Sequence, residues 1–391
     1  MNAWTGLPDI NKRRIAIFGC GLEGSSLFYR LKKAGFNIDY CIDNFRNEDF
    51  WGNPVCRLSD LGDSINHTFF YVSSRKYYGE LKSQLDLLGL SEFDDYIKGG
   101  AFDRRVVMIN ANCYGPKIDS YLSNNAEFCS RFFVYDSTPV FDKKTDFSYR
   151  QLVKKCDVYI GQDIRDDNAV SPLLSDSFVK KEIKNDCIRI IIPNLVGMGK
   201  IIFPQSYYRN DPFNEDESLR YGMFPYGDRI IDKHYKEGKT KEEIILEIDK
   251  GATFSEAIIE EIYNSVVSKF RNRELNWDVK IIDFILENLD RTPIFYDLYH
   301  PSNLVYERMV GQILGILGVK DRSVHRMESS QNTFELFVYP EVAKKLGLSY
   351  VSSSYELREN TEYCLSRPMD YKEWIREYIA WCFERKEATS S

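Results

Sequence analysis

Metal-binding and redox cysteine patterns are missing from this 391-residue chain. Its nine cysteines include no Cys-x-x-Cys pair, and none stands at zinc-ligand spacing with the four histidines. The odd count, and the lack of a leader-like apolar segment in Met1 to Lys12, point to reduced thiols in a cytoplasmic protein. No apolar run approaches the length of a membrane span. Positive charge is not in excess: 52 Lys and Arg against 59 Asp and Glu give a net charge of −7. That argues against nucleic acid as a partner and leaves any phosphate-bearing ligand to a local basic cluster. Aromatic rings, by contrast, are plentiful. The 26 Tyr and 25 Phe sit in a 43% hydrophobic composition, enough for a large core and for stacking walls in clefts. The length suits two domains.

The first stretch with a chemical pattern is near the start. A short apolar strand, Ile15 to Phe18, runs into Gly19-Cys20-Gly21-Leu22-Glu23-Gly24 and a helix from Ser25 to Ala34. A second strand, Ile38 to Ile42, ends on Asp43. Strand, G-x-G-x-x-G, helix, strand and acid form the dinucleotide fingerprint in its required context. Gly19 permits the turn, Gly21 lets a phosphate approach, Gly24 lets the helix pack, and Asp43 is placed for a ribose hydroxyl. The ligand class would be a nucleotide, either NAD or a nucleotide sugar. A further strand, Phe69 to Val72, is followed by Ser73 and Ser74 at a place where ligands often lie. This part has no acid or base for hydride transfer, which argues against a dehydrogenase. Lys98-Gly99-Gly100 reads as the junction that ends a module over residues 1–100.

The chain is organised around the next strand, Val106 to Ile109, which breaks into Asn110-Ala111-Asn112-Cys113 before a helix opened by Pro116. Cys113 thus sits on a strand-to-helix turn, where a helix N-terminus favours a thiolate. It reads either as a nucleophile or as a buried packing cysteine. Far downstream, Asp297-Leu298-Tyr299-His300-Pro301 places a carboxylate three positions before one of the few histidines. Asp-x-x-His at a helix entry suits an acid–base pair; an ordinary cap with a surface histidine is the alternative. Strands Val158 to Ile160 and Ile188 to Ile192 end near Gln162 and Asn194. Strands alternating with helices imply an α/β fold with parallel sheets and ligands at the strand carboxyl ends. Cys113, Gln162, Asn194 and His300 are all expected at such ends.

These stretches, in this order, resemble the WcbI-type polysaccharide biosynthesis acetyltransferases, a family related to the SGNH-hydrolase fold. The family's Gly-Asn-Cys-Gln signature is matched by Ala111-Asn112-Cys113-Tyr114, in which Asn112 and Cys113 fit and the outer two depart. His300-Pro301 matches its terminal His-Pro motif, and Asp297 fits the SGNH-type aspartate. Gln162 and Asn194 resemble its polar strand-end positions, and Arg271-Asn272-Arg273-Glu274 its Arg-Glu element on a long helix. The likeness spans roughly residues 105–350. It implies acetyl-coenzyme A as donor and a sugar of a capsular or other surface polysaccharide, or its precursor, as acceptor. His300, oriented by Asp297, would be the base. Cys113 would carry the acyl group or line the donor pocket, and Gln162, Asn194 and a backbone N–H near Cys113 would hold the oxyanion. Asn112, Lys200, Arg271 and Arg273 would contact coenzyme A. An esterase or deacetylase on the same site, and a non-catalytic nucleotide-binding module, are the competing functions.

The implied organisation is two parallel-sheet domains. The first, 1–100, is Rossmann-like. The second, 101–322, is SGNH-like with a helical insertion over about 212–290, and an extension follows over 323–391. The insertion carries a capping box at Thr240 and Glu243 and reads as a lid or a packed wall. In the extension, Phe334 to Tyr339 reads as a strand. Tyr371 to Phe383 reads as an aromatic helix packed on the body or on a second copy.

Overall fold

A computed structural model describes residues 10–137, 147–164, 175–208, 224, 226–324, 335–351, 356–357 and 368–384. The chain divides into two compact units. One comprises Met1–Ile192 and Val310–His325, the other Pro193–Met309 and Arg326–Ser391.

In the first unit, β1 (Arg14–Phe18) leads through the Gly19 turn into α1 (Leu22–Lys33), followed by β2 (Tyr40–Ile42), β3 (Val55–Cys56), β4 (Thr68–Val72), α2 (Tyr78–Leu87) and β5 (Tyr96–Lys98). The five strands form an all-parallel sheet in the order β3-β2-β1-β4-β5. Strand geometry sends alternate side chains to opposite faces. Ile15 and Ile17 of β1, with Phe69 and Tyr71 of β4, enter one apolar core; Ala16, Phe18, Phe70 and Val72 enter another. Buried on both faces, the strands need no polar alternation, which is why they read as continuous apolar runs. The fingerprint glycines have steric reasons to be there. Gly19 has φ +104°, and a Cβ on Gly24 would lie 2.2 Å from the Gly19 carbonyl oxygen.

The chain continues through β6 (Arg105–Asn110), α3 (Tyr114–Ser123), α4 (Ala126–Arg131), β7 (Phe132–Asp136), α5 (Phe147–Lys155), β8 (Val158–Gln162), α6 (Asp176–Glu182) and β9 (Ile188–Ile192). These strands form a second all-parallel sheet, ordered β7-β6-β8-β9. Val106 and Met108 of β6, Phe133 and Tyr135 of β7, and Leu152 and Val153 of α5 join the core that holds Ile15 and Phe69. Both sheets of this unit therefore share one apolar interior. Ser175 caps α6, its hydroxyl accepting from the Phe178 N–H at 3.2 Å.

The second unit holds the antiparallel pair β10 (Ser206–Tyr208) and β11 (Tyr226–Asp228) with α7 (Arg229–Lys236), α8 (Lys241–Asp249), α9 (Glu256–Glu274) and α10 (Ile282–Asn288). α11 (Asn303–Ile316) begins in this unit and continues into the first, and α12 (Pro340–Leu346) and α13 (Tyr371–Ile379) complete it. Side-chain caps start four of the helices: Asp228, Thr240, Ser255 and Asp370 each accept from backbone N–H groups of the first turn. Each cap is worth about 1 kcal/mol. Thr240 and Glu243 form the expected reciprocal box.

The strand expected over Phe334 to Tyr339 is not formed in the described part, 335–339. Leu336 to Tyr339 are buried, which explains the apolar signal, but the Leu336 N–H bonds the Tyr296 carbonyl instead of a ladder partner. Pro340 then opens α12. The C-terminal aromatic helix ends at Ile379 and loosens into a π turn, Ala380–Glu384. Trp374 and Tyr378 stack at 5.1 Å and are buried against Phe224 and Phe337. No helix among the described residues is long and apolar enough to cross a membrane.

Candidate active site

Cys113 stands at the carboxyl end of β6 as the N-cap of α3, with Asn112 before it in the left-handed region at φ +40°. The thiol is exposed, so the packing role weighed for it does not apply. The tight turn uses up nearby donors: the N–H groups of Tyr114 and Gly115 both bond the Ala111 carbonyl, at 2.8 and 2.9 Å. On the neighbouring parallel strand, Gln162 ends β8. Its side chain is buried, and its Nε2 has no hydrogen-bond partner. Burying an amide donor unpaired costs about 1–3 kcal/mol, so a buried orphan of this kind marks a position that a ligand oxygen would satisfy. Asn194 follows β9 by two residues, and its Oδ1 accepts from the Val196 N–H at 3.2 Å, closing a turn.

The second unit contains the acid–base pair. Asp297 is fully buried; its Oδ1 accepts from the N–H groups of Tyr299 (2.7 Å) and His300 (2.8 Å), and its Oδ2 lies 2.7 Å from His300 Nδ1. One carboxylate thus shapes the turn and fixes the imidazole. The ring itself is 27% exposed. The turn is closed by a bridge between Phe295 and Pro301, and its Leu298 carbonyl accepts from the Gly197 N–H. A Cβ on Gly199 would lie 2.2 Å from the Asp297 carbonyl oxygen, so only glycine allows this seat. No strand precedes His300 among the described residues; the expectation of a strand end holds for Cys113, Gln162 and Asn194 only, because the loop is held by its own carboxylate instead of a ladder.

Sequence reasoning missed the aromatic surroundings of this histidine. The Tyr226 hydroxyl from β11 is 3.4 Å from His300 Nδ1, and the rings of Tyr208, Tyr226 and Tyr299 lie 5.6–6.3 Å apart. Burial, then the Asp297 charge and Tyr208, push the Tyr299 phenol up from its ordinary value. The high aromatic content was the sole signal, and it does not say which rings converge. At the start of α7, its cap Asp228 is buried against the Tyr339 hydroxyl at 3.1 Å, and Asp232 within the helix accepts from Tyr378 at 2.6 Å and from Tyr207. Burial pushes Asp228 up to about 7, against the opposing N–H groups of Ile231 and Ile230.

The sequence profile of the polysaccharide biosynthesis enzyme WcbI matches residues 106–322, more than half of the chain. The chain belongs to the WcbI family. A solved WcbI structure has the same fold over 72% of this chain and 90% of its own, with a TM-score of 0.60 at 18% identity. That structure is described as a novel polysaccharide biosynthesis enzyme, in its native form without a disulfide between coenzyme A and one of its cysteines. A comparison with curated proteins yields no match. The WcbI region takes in Cys113, Gln162, Asn194, Asp297 and His300, with Cys113 and Gln162 in the first unit and the other three in the second.

Lys200 is exposed. Arg271 pairs with Asp283 at 2.8 Å, and Arg273 lies over the rings of Phe270 and Trp277. Glu274 accepts from the N–H groups of Ile281 and Ile282 and so starts α10. Gly21 is open, with nothing within 4 Å of an added Cβ. The carboxylate of Asp43 is already engaged with the backbone N–H groups of Cys20, Phe45 and Arg46 at 2.9–3.0 Å. Burial opposes its charge, but those bonds prevail and hold it below its usual range. No cluster of side chains that could hold a metal ion occurs among the described residues.

Proposed function

We propose that this protein is a coenzyme A-dependent acyltransferase that moves an acetyl group to a sugar hydroxyl of a surface polysaccharide or its precursor, in the cytoplasm. The observation that carries the reading is the buried Asp297 on His300 Nδ1 at 2.7 Å, in a chain of the WcbI family. A carboxylate there leaves Nε2 as the nitrogen that takes a proton. His300 removes the proton of the sugar hydroxyl as its oxygen bonds the thioester carbonyl carbon. When the carbon–sulfur bond breaks, His300 returns the proton to the departing sulfur. Gln162 Nε2 and the Asn194 amide donate to the oxyanion, and one such donor is worth about 3 kcal/mol.

The donor would bring its thiol end to Cys113 and Asn112 and its phosphates to Lys200, Arg271 and Arg273. The exposed thiol suits this role, and the solved WcbI structure is described as native protein without a disulfide between coenzyme A and a cysteine of that protein. Of the three cations Lys200 needs least rearrangement, since Arg271 would first give up Asp283. Cys113 either lines that pocket or carries the acetyl group in a two-step route. We further propose a Rossmann-like module over 1–100, with Gly19, Gly21, Gly24 and Asp43 at a nucleotide such as NAD or a nucleotide sugar, an SGNH-like catalytic part over 101–322, and an extension over 323–391.

Acetyl-coenzyme A consumption is the test, measured as thiol release with and without a panel of sugars. Acceptor-dependent release should disappear in His300→Ala. An undiminished rate in that variant would remove His300 from the mechanism, and acetate release without an acceptor would make the protein a hydrolase. A mass shift of about 42 Da, one acetyl group, that is lost in Cys113→Ser would support the covalent route.

A further inference from the structure

We propose that the first unit carries a separate ligand site, for a small phosphorylated sugar, in the cavity at the carboxyl ends of β4, β5 and β7. The cavity has a volume of about 340 Å³. Of the fingerprint stretch only Glu23 lines it; Gly21, Asp43 and Cys113 do not. Three elements of its wall ask for an anion. Ser73, just beyond β4, is 4% exposed, and its hydroxyl has no hydrogen-bond partner. Lys98 ends β5; its ammonium donates to the Tyr135 carbonyl and lies 4.7 and 4.8 Å from the ring centres of Tyr78 and Tyr135, with Asp136, Glu92 and Asp119 near enough to act on it but none in a close ion pair among the described residues. Arg104 is half-buried, and its guanidinium makes no hydrogen bond or ion pair among the described residues.

Cations without a close ion pair are costly in a partly dry wall. Burial lowers the Lys98 ammonium from its ordinary value against the opposing charges of Asp136, Glu92 and Asp119, and burial with the nearby Arg30 charge lowers the Arg104 guanidinium against Asp103. A phosphate monoester supplies a close anionic partner and accepts from the Ser73 hydroxyl. Arg75 stands at the rim, already paired with Glu23 at 3.7 Å. The rest of the wall has different chemistry. Asp119 accepts from the hydroxyls of Ser123 and Ser137, both at 2.8 Å, beside Asp136 and the Phe133 ring. Carboxylates, hydroxyls and an aromatic face fit sugar hydroxyls and a sugar's apolar face. The volume points the same way, since a pocket of small-molecule size is far larger than one bare anion needs.

The full chain should be titrated calorimetrically with hexose 1-phosphates, inorganic phosphate and free glucose. We expect saturable binding of a hexose 1-phosphate, at least tenfold weaker binding of inorganic phosphate, and no heat from glucose. Arg104→Gln and Lys98→Met should each weaken the hexose phosphate at least tenfold, and Cys113→Ser should leave it unchanged. Arg104→Gln disturbs no bond and so carries the test if Lys98→Met fails to fold. The assignment is overturned by the absence of saturable binding across the hexose 1-phosphates, by undiminished affinity in Arg104→Gln, or by inorganic phosphate binding as tightly as its sugar ester. It does not depend on the acyltransfer reading, because none of these measurements involves coenzyme A.

Discussion

Replacing Asp297 with Asn separates orientation from charge in the histidine loop. The carboxylate holds the backbone N–H groups of Tyr299 and His300 at 2.7 and 2.8 Å and the imidazole Nδ1 at 2.7 Å. The amide oxygen of the Asp297→Asn variant would keep both backbone bonds, so the turn persists and stability should fall by only about 1 kcal/mol. The amide NH2 would then face Nδ1. Since that group donates, Nδ1 must accept, and the ring proton moves to Nε2, the nitrogen that a base needs bare. The same tautomer reversal in a hydrolase triad lowers turnover about 10⁴-fold, and we expect a loss of about 10³–10⁴, or about 4–5.5 kcal/mol in the barrier. Tyr226, 3.4 Å from Nδ1, is too far to restore the orientation. Asp297→Ala differs in a diagnostic way: it removes the acceptor of both partly buried N–H groups and should cost about 1–3 kcal/mol of stability as well. The assay is thiol release from acetyl-coenzyme A alongside a thermal melt. An Asp297→Asn protein that melts normally and keeps more than about a tenth of the native rate, a loss below about 1.4 kcal/mol, would refute the role assigned to His300.

Other expectations follow from single contacts. Gln162→Met should lower turnover by about 10²–10³ while leaving the melting temperature equal or higher, because the buried Nε2 has no partner to lose; a destabilised but fully active variant would contradict the oxyanion role. Gly24→Ala forces a Cβ onto the Gly19 carbonyl and should destabilise by about 1–3 kcal/mol in denaturant titration, whereas Gly21→Ala, in open space, should change stability far less. Asp228 rises from 3.8 to about 7 on burial, so the folded chain keeps a proton that the unfolded chain releases above about pH 4. Its contribution to stability is full below about pH 4 and is lost as pH climbs through about 7, by up to about 4 kcal/mol. Asp228→Asn should flatten the melting profile between those limits; curves that run parallel to the native ones would count against the shift.

Local signals in the chain were reliable where one physical cause dominates. Buried parallel strands need apolar residues on both faces, so β1, β4, β6 and β9 stand out as runs, and Gly24 and the Thr240–Glu243 box are dictated by contacts a few residues away. The Asp297–His300 pair was legible for the same reason, as both groups lie within one turn. What escaped notice depends on distant parts of the chain. Tyr226 reaches His300 from 74 positions upstream, and Lys98 and Arg104 meet in one cavity wall through where two sheets end. The segment 335–339 misled because burial alone, without a ladder, produces the same apolar pattern as a strand.

The seat of Gly199 against the Asp297 backbone, with the Gly197 N–H on the Leu298 carbonyl, ties two peptide stretches about a hundred positions apart into one rigid piece. Any transplant of the histidine turn into a new scaffold must therefore carry residues 197–199 with it. A library that randomises one stretch alone should return mostly unfolded clones, while paired diversification of both should recover working ones.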